Sequence, residues 1–473
     1  MMAANGNICL PVPGEPQSYW QHEGRKDNPN SNAVLEPNPL PSQCHVVIVG
    51  GGYAGIATAY HLLSSEGPPL QVVLIEARQP CSGATGRNGG HLRPDYFLSA
   101  AANASKYDAA KAAEVVQFEV SHLAAIRDLI QAERIDCDYS ESTSLQVFTT
   151  SEQATMAREK YESLMQEPEL REILLRHVTL YTDEDAAHKS GVRGAKGHVA
   201  TPAAQLSSYK LFTALLNRCL DLGLRLKTDT AVVSVEESSC GKQVVKTATA
   251  GAVEASKVVI ATNAYTASIL PDYASSIIPC KGLVCHIASR DDRVLPRLPT
   301  SSLALMQTNA GSNARGYSYL LQRADSTIVV GGAHHMYDDE DPGSWYNTVD
   351  DRGSIAPVQR YFEDDFMQRM FVGWEDSQAY VKRSWSGIMG YSTDALPHVG
   401  EVPDRKGLFV LAGFHGHGMP VLYLTAKGIA DMIRHGQVFE DTELPSLYKT
   451  TRSRLESTTN VILAGRGMQA ACK

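Results

Sequence analysis

Charge-free apolar runs recur along the chain at 46–49 (VVIV), 72–75 (VVLI), 258–261 (VVIA) and 408–412 (LFVLA). Continuous apolar character, in place of alternation, marks strands buried on both faces, as in a parallel sheet covered by helices. Between the first two runs, 56–63 is apolar-rich at helical length and Gly67-Pro68-Pro69 stops it. The stretch 45–77 therefore reads as a strand–helix–strand unit. A strand at 231–236 and the run from 257 are expected to join those at 46 and 72 in the parallel core of one domain. The run at 408–412 leads into FHGHGMP and a helix over about 420–435.

Elsewhere the pattern changes. Positions 109–134 mix apolar and charged residues at helical spacing, 145–149 reads as a strand, 152–176 as a charged, exposed helix, and 206–220 as a helix entered from the turn HVATP. Over 277–383, strands at 277–287, 317–322 and 327–332 are separated by turn signals and followed by a helix near 354–371. This texture predicts an antiparallel sheet with helices. The fold class is α/β: a Rossmann-like dinucleotide-binding domain with an inserted α+β, antiparallel-sheet substrate domain. The nucleotide domain is expected in three pieces, 44–105, 190–275 and 384–440, with 106–189 and 276–383 as the substrate or cap domain. Residues 1–43 read as an irregular arm pinned by Tyr19 and Trp20, and 441–473 as a C-terminal tail.

The unit at 45–77 contains Gly50-x-Gly52-x-x-Gly55 between strand and helix, with Glu76 closing the second strand. Each position has a physical reason. Gly50 permits a tight turn, Gly52 lets the backbone approach a pyrophosphate, and Gly55 lets the helix pack on the strand. Tyr53 and Ala54 open the helix, whose N-terminal N–H groups favour a phosphate. Glu76, followed by Ala77, would accept hydrogen bonds from ribose hydroxyls, and an acid there disfavours the 2′-phosphate of NADP.

Composition narrows the class. With 43% hydrophobic and 20% charged residues the chain is an ordinary globular one, and at 473 residues it exceeds a single core. A net charge of −9 without basic runs argues against nucleic acid or an anionic membrane as partner. Nine cysteines with no CxxC pair suggest reduced thiols in a cytoplasmic protein. No run reaches membrane-spanning length, and the N-terminus lacks the pattern of a signal peptide.

After Glu76 comes CSGATGRNGGHLRPDYF (81–97), too poor in large side chains to form a core, hence a loop whose backbone approaches something closely. The succession GxGxxG with Glu76, SGATGRNGG, a strand ending ATNA, Trp385-x-Gly387 with TDALPHVG, and GFHGHGM resembles the FAD-dependent D-amino acid oxidase superfamily, which includes glycine, sarcosine and γ-glutamylputrescine oxidases. The resemblance spans about 44–436, and the arm with Ser18-Tyr19-Trp20 further resembles fungal members.

The resemblance implies FAD with its isoalloxazine ring between the two domains. The loop residues Ala84, Thr85, Gly86, Arg87, Asn88, Gly89, Gly90, His91 and Leu92 would run beside it, with Arg87 and Asn88 suited to bond the flavin or its phosphates. Val233 would contact adenine through its main chain, and Thr262 and Asn263 would line the far side of the nucleotide. Gly416, His417, Gly418 and Met419 precede a helix and would aim N–H groups at the flavin C2 carbonyl. In sarcosine and fructosyl amine oxidase relatives a cysteine tethers the flavin; the matching position here is Gly387, and no cysteine lies between Cys285 and Cys472, so noncovalent FAD is expected. His91 is offset from the position at which other relatives tether through histidine.

The implied chemistry is oxidation of a C–N bond in a small amine or amino acid, by hydride transfer to flavin N5 and reoxidation by oxygen to peroxide. No catalytic dyad is visible by spacing. The polar residues expected to face the substrate are His91, Arg93, Tyr319, His335, Tyr391, His415 and His417. Among them Arg93 would pair a substrate carboxylate, Tyr319 and Tyr391 would order the substrate, and His417 would polarise the flavin. No metal is expected, because the adjacent His334 and His335 point to opposite faces of a strand. The acidic loop 338–341 is solvated or attracts a cationic amine. Three other readings are weighed: a tailoring oxidase or cyclase of a secondary metabolite; a monooxygenase, which the Thr393-Asp394-Ala395 run matches poorly; and a noncatalytic FAD-binding protein, against which the GFHGHGM run speaks.

Overall fold

The alternation of buried side chains along Gln43–Val49 splits its neighbours between two cores. Val46 and Ile48, with Val72 and Leu74, pack under the helices Tyr53–Ser64, Ser208–Asp221 and Leu422–His435 through Ile56, Phe212 and Ile429. Val47 and Val49, with Val73, Ile75, Ile260 and Val410, face the opposite side against Val245 and Tyr273. Burial on both faces is what the continuous apolar runs require. The computed structural model describes residues 10–27, 39–181, 186–291, 293–309 and 315–466.

The strands Leu408–Ala412, Ala252–Ile260, Gln43–Val49, Val72–Ile75 and Arg225–Lys227 lie side by side, all parallel, with His398–Glu401 antiparallel at one edge. The strand expected at 231–236 forms, as Val232–Glu237, but lies outside this parallel core. It pairs antiparallel with Gln243–Thr247, which pairs antiparallel with Ala252–Ile260. So short a connection admits only antiparallel pairing. The parallel position goes to Arg225–Lys227, which follows a full helix.

Among the described residues the second sheet has nine strands and runs Ala379–Ser392, Ile277–Ser289, Ile328–Gly332, Arg315–Gln322, Ser302–Thr308, Ser140–Phe148, Gly197–Gln205 and His91–Leu92, with Thr179–Tyr181 beside Gly197–Gln205. Its pairings are antiparallel except that of Ser302–Thr308 with Ser140–Phe148. Two segments assigned by sequence to the nucleotide domain belong here instead: His91–Leu92 pairs with Ala204 and Gln205, and Gly197–Gln205 pairs with Ser140–Phe148. The single strand Ala379–Ser392 runs through 384 without a break. The helix expected over 152–176 is two, Ser151–Leu164 and Pro168–His177, because proline starts helices and interrupts them. That near 354–371 also divides, at Asp365 with φ 43°.

The arm, expected to be irregular, carries the helix Tyr19–Asp27. Trp20, 1% exposed, donates Nε1–H to Asn88 O at 2.6 Å, and Ser18 Oγ donates to Gly86 O. Asp351, fully buried, accepts from Arg78 Nη1 at 3.2 Å and lies 3.8 Å from Arg87 Nε. One carboxylate thus ties the nucleotide strand, the glycine-rich loop and the insert together. Asp394 of the TDALPHVG run is held by Arg454 through Nε at 2.8 Å and Nη2 at 3.0 Å, a forked pair that closes the C-terminal segment onto the sheet.

Candidate functional site

The first strand ends in Gly50 at φ +111°, where a Cβ would lie 2.6 Å from Ala261 O. At Gly55 a Cβ would fall 1.9 Å from Gly50 O, so the helix rests directly on the turn. The helix begins at Tyr53 with no side-chain cap from Gly52; the Tyr53 N–H is taken by Thr85 Oγ1 at 2.9 Å. The other first-turn N–H groups remain available to an anion. Glu76 stands beside this terminus, accepting from Gly51 N at 2.6 Å and Arg78 N at 2.8 Å. Burial raises its pKa against those two hydrogen bonds. Each carboxylate oxygen keeps a lone pair for a further donor.

A single cavity runs from this turn into the space between the two sheets. Its wall includes Gly50, Gly52, Tyr53, Ala54, Glu76, Ala77, Ala84, Thr85, Arg87, Asn88, Gly89, His91, Thr262, Asn263, Gly387, Gly416, Gly418 and Met419 from the expected cofactor set, and Arg93, Tyr319, Tyr391 and His417 from the substrate set. Several of these are committed to the protein. Arg87 donates Nε–H to Ser82 O at 2.9 Å, Nη1 to Ser386 O at 2.6 Å and Nη2 to Pro16 O at 2.5 Å, so its guanidinium clamps loop, insert and arm instead of reaching for phosphate. Asn88 spends its amide on Thr85 O and Ser208 Oγ. Asn263 Oδ1 accepts from Gly413 N at 3.0 Å, fixing the start of the GFHGHGM turn.

Seven expected residues lie off the wall, among them His415, whose Nδ1 sits on Ser392 O at 3.0 Å. Gly55 and Gly86 are needed for backbone approach, the latter with a would-be Cβ 2.2 Å from Cys81 O. Gly90, at φ +82°, makes room for Trp20, and Leu92 is core. Val233 is the bulged residue of its strand with its side chain 46% exposed; Val232 lines the cavity in its place. His335 is buried against Tyr361 at 5.1 Å between centroids, while its neighbour His334 faces the cavity. The two histidines are not on a strand, as the sequence suggested, but in the 3-10 turn His334–Met336 that follows the strand Ile328–Gly332.

Tyr317, Tyr319 and Tyr391 line the cavity, their hydroxyls have no hydrogen-bond partner among the described residues, and Arg93 has no ion pair among them. Gly89 admits the Tyr319 ring, which a Cβ would meet at 2.5 Å. Burial pushes the Tyr319 and Tyr391 phenols up, so both are neutral donors. Burial lowers His334 and His415 to about 4, and burial then Arg93 lower His91 to about 3, leaving all three imidazoles neutral. His417 differs: burial opposes its charge, but the Glu119 carboxylate, 2.7 Å from Nε2, prevails and raises it. Sequence reading missed Tyr317, His334 and Glu119; only the proximity of Tyr317 to Tyr319 hinted at any of them.

The turn His415–Gly416, with φ +51° and +72°, presents Gly418 and Met419 N–H groups that have no partner among the described residues, whereas the His417 N–H is spent on Phe414 O at 2.8 Å. An uncapped helix terminus, a half-buried acid at ribose distance in the chain, and unspent N–H groups at a second helix entrance fit a dinucleotide carrying a ring that gains negative charge. No group of three or more His, Cys, Asp or Glu suited to a metal is found among the described residues, and no helix among them is long and apolar enough to cross a membrane.

Comparison with known proteins agrees with this geometry. The chain is 24% identical over 409 residues to γ-glutamylputrescine oxidoreductase of Escherichia coli, covering 83% of this chain and 84% of that one. It is 25% identical over 401 residues to glycine oxidase of Geobacillus kaustophilus, covering 84% and 94%. The crystal structure of that glycine oxidase superposes with a TM-score of 0.68 at 23% identity, over 87% of this chain and 99% of the other, a likeness of fold. The model of the DAO family, described as FAD dependent oxidoreductase, matches residues 45–432, from the first strand to the helix behind GFHGHGM, and the chain belongs to that family.

Proposed function

We propose that the protein oxidises a C–N bond in a small amine or amino acid. The observation that carries this reading is the substrate end of the cavity: Arg93 and three tyrosines, without ion-pair or hydroxyl partners among the described residues, on the same wall as the GFHGHGM turn. FAD, when bound, supplies the oxidant, accepting a hydride from the carbon next to nitrogen and returning the electrons to oxygen as peroxide. The protein's own part is to bind and orient. Arg93 holds a carboxylate, Tyr319 and Tyr391 donate to the substrate's polar atoms, and the apolar wall excludes water. The names of the relatives, which act on glycine and γ-glutamylputrescine, support the amine class.

Glycine at 387, where a Cβ would meet Arg87 Cβ at 3.2 Å, supports a noncovalent cofactor. Acid precipitation of the yellow protein is expected to leave all flavin in the supernatant; colour in the pellet would refute this. The seven described cysteines are all free, which supports a reducing, cytoplasmic setting. His335→Ala is expected to leave anaerobic flavin reduction within about twofold of wild type, since the ring faces Tyr361 and not the cavity.

The test is the anaerobic visible spectrum before and after adding glycine, sarcosine, γ-glutamylputrescine and a panel of other primary and secondary amines. Bleaching by one of them establishes the class of substrate. A flavin that stays oxidised with all of them overturns the reading.

A further inference from the structure

We propose that Glu119 is a positioning residue that makes His417 the base for the substrate's ammonium proton, an inference that rests on the amine-oxidising reading above. Glu119 lies on the helix Ala109–Glu133, outside the nucleotide-binding fold and 298 residues from His417. It is 3% exposed. Its Oε2 stands 2.7 Å from His417 Nε2 and accepts the Asp95 N–H at 2.7 Å. Among the described residues no lysine or arginine pairs with it. A buried carboxylate without a cation is costly, so the imidazole is the one group that can balance it.

The geometry also fixes the tautomer. An ionised carboxylate only accepts hydrogen bonds, so the neutral ring keeps its proton on Nε2 and leaves a lone pair on Nδ1. Nδ1 has no partner among the described residues, and His417 lines the cavity. This is the arrangement by which an acid orients a histidine base and stabilises the imidazolium it becomes.

The other charged and titratable groups around the ring, Arg93 excepted, are committed. His122, on the same helix as Glu119, places Nδ1 on Phe118 O and accepts the Leu424 N–H at Nε2, and burial keeps it neutral. The Asp95 carboxylate is spent on the N–H groups of Phe97, Leu98 and Ser99. His415 sits on Ser392 O at 3.0 Å. Burial and, less, Arg93 oppose protonation of His417, and Glu119 with Asp95 favours it, with a raised pKa as the outcome.

In the step itself an N–H bond of the substrate ammonium breaks, an Nδ1–H bond forms, and the electron pair stays on the substrate nitrogen. Charge is conserved, with the new imidazolium facing Glu119. The freed lone pair is what the adjacent carbon needs in order to give up its hydrogen with two electrons to FAD.

Two readouts test this. In the first, the visible band of the oxidised holoenzyme is titrated between pH 5.5 and 9. A midpoint above the ordinary histidine value is expected in the wild type, lower in Glu119→Gln and absent in His417→Gln; the same midpoint in Glu119→Gln overturns the pairing. In the second, anaerobic reduction by sarcosine, glycine and the amine panel is followed against pH. Below its pKa His417 already holds a proton and cannot accept another, so the rate falls on the acid side. Losing the carboxylate destabilises the imidazolium, so in Glu119→Gln the acid limb moves about one pH unit or more downward and the plateau drops about 10²-fold. If Glu119→Gln does not fold, Glu119→Asp serves: the acid limb stays and only the plateau falls. Wild-type flavin unbleached by every amine overturns the amine reading and the base role together. Bleaching with a limb unmoved by Glu119→Gln overturns the base role alone.

Discussion

Gly55→Ala is expected to purify colourless, with less than a tenth of the wild-type flavin per protein. The added Cβ would stand 1.9 Å from Gly50 O and 3.2 Å from Ile48 Cγ2, and the first of these is backbone. No rotamer relieves it. The helix Tyr53–Ser64 must slide off the strand, and Gly50, at φ +111° with Ala261 O beneath it, has no room to retreat. The N–H groups of the helix terminus move away from where a pyrophosphate would sit, and Glu76, hydrogen-bonded to Gly51, moves with the turn. Overpacking a core side chain costs about 1–3 kcal/mol, and a backbone clash of this depth exceeds that range. The check is the ratio of visible to ultraviolet absorbance with a melting curve, using Gly353→Ala as a control because nothing lies within 4 Å of a Cβ there. A yellow Gly55→Ala protein with wild-type flavin content would show that the turn tolerates the clash and that the phosphate site lies elsewhere.

How far the sequence told this structure follows from the range of the interactions. The turn around Gly50 and the strands that flank it are local, so periodicity and glycine spacing predict them, down to the packing reason for Gly55. The division of the sheets is not local. His91–Leu92 joins the second sheet through Ala204 and Gln205, residues that no pattern near the loop announces. At Val233 a bulge after Val232 breaks the alternation on which strand reading depends, so sequence alone does not show that the Val232 side chain is the one lining the cavity. Arg87 looked like a phosphate ligand because sequence shows charge but not the three carbonyls that consume it. Glu119 was invisible for the same reason: among the acids of its helix nothing singles it out, and its partner lies on the last motif of the family.

Replacing Arg93 with methionine should separate substrates by their charge. The guanidinium lines the cavity, has no ion pair among the described residues, and shares its surroundings with neutral rings: His91 at about 3, and Tyr317, whose phenol burial raises. A cation held half out of water without a counter-charge costs stability, which a protein retains where a ligand completes the pair. Truncating one partner of such a pair costs about 2–5 kcal/mol, and each 1.4 kcal/mol is tenfold. For an amino acid substrate Arg93→Met should therefore lower kcat/KM by about 10²–10³, chiefly through KM. For an amine of similar size without a carboxylate the loss should stay within about threefold, because no charge is there to be stranded. The melting temperature should hold or rise, since the substitution removes an unpaired cation and keeps the aliphatic volume. Equal losses on both substrates would take Arg93 out of carboxylate recognition, and a fall in melting temperature would mean that the arginine holds the wall together.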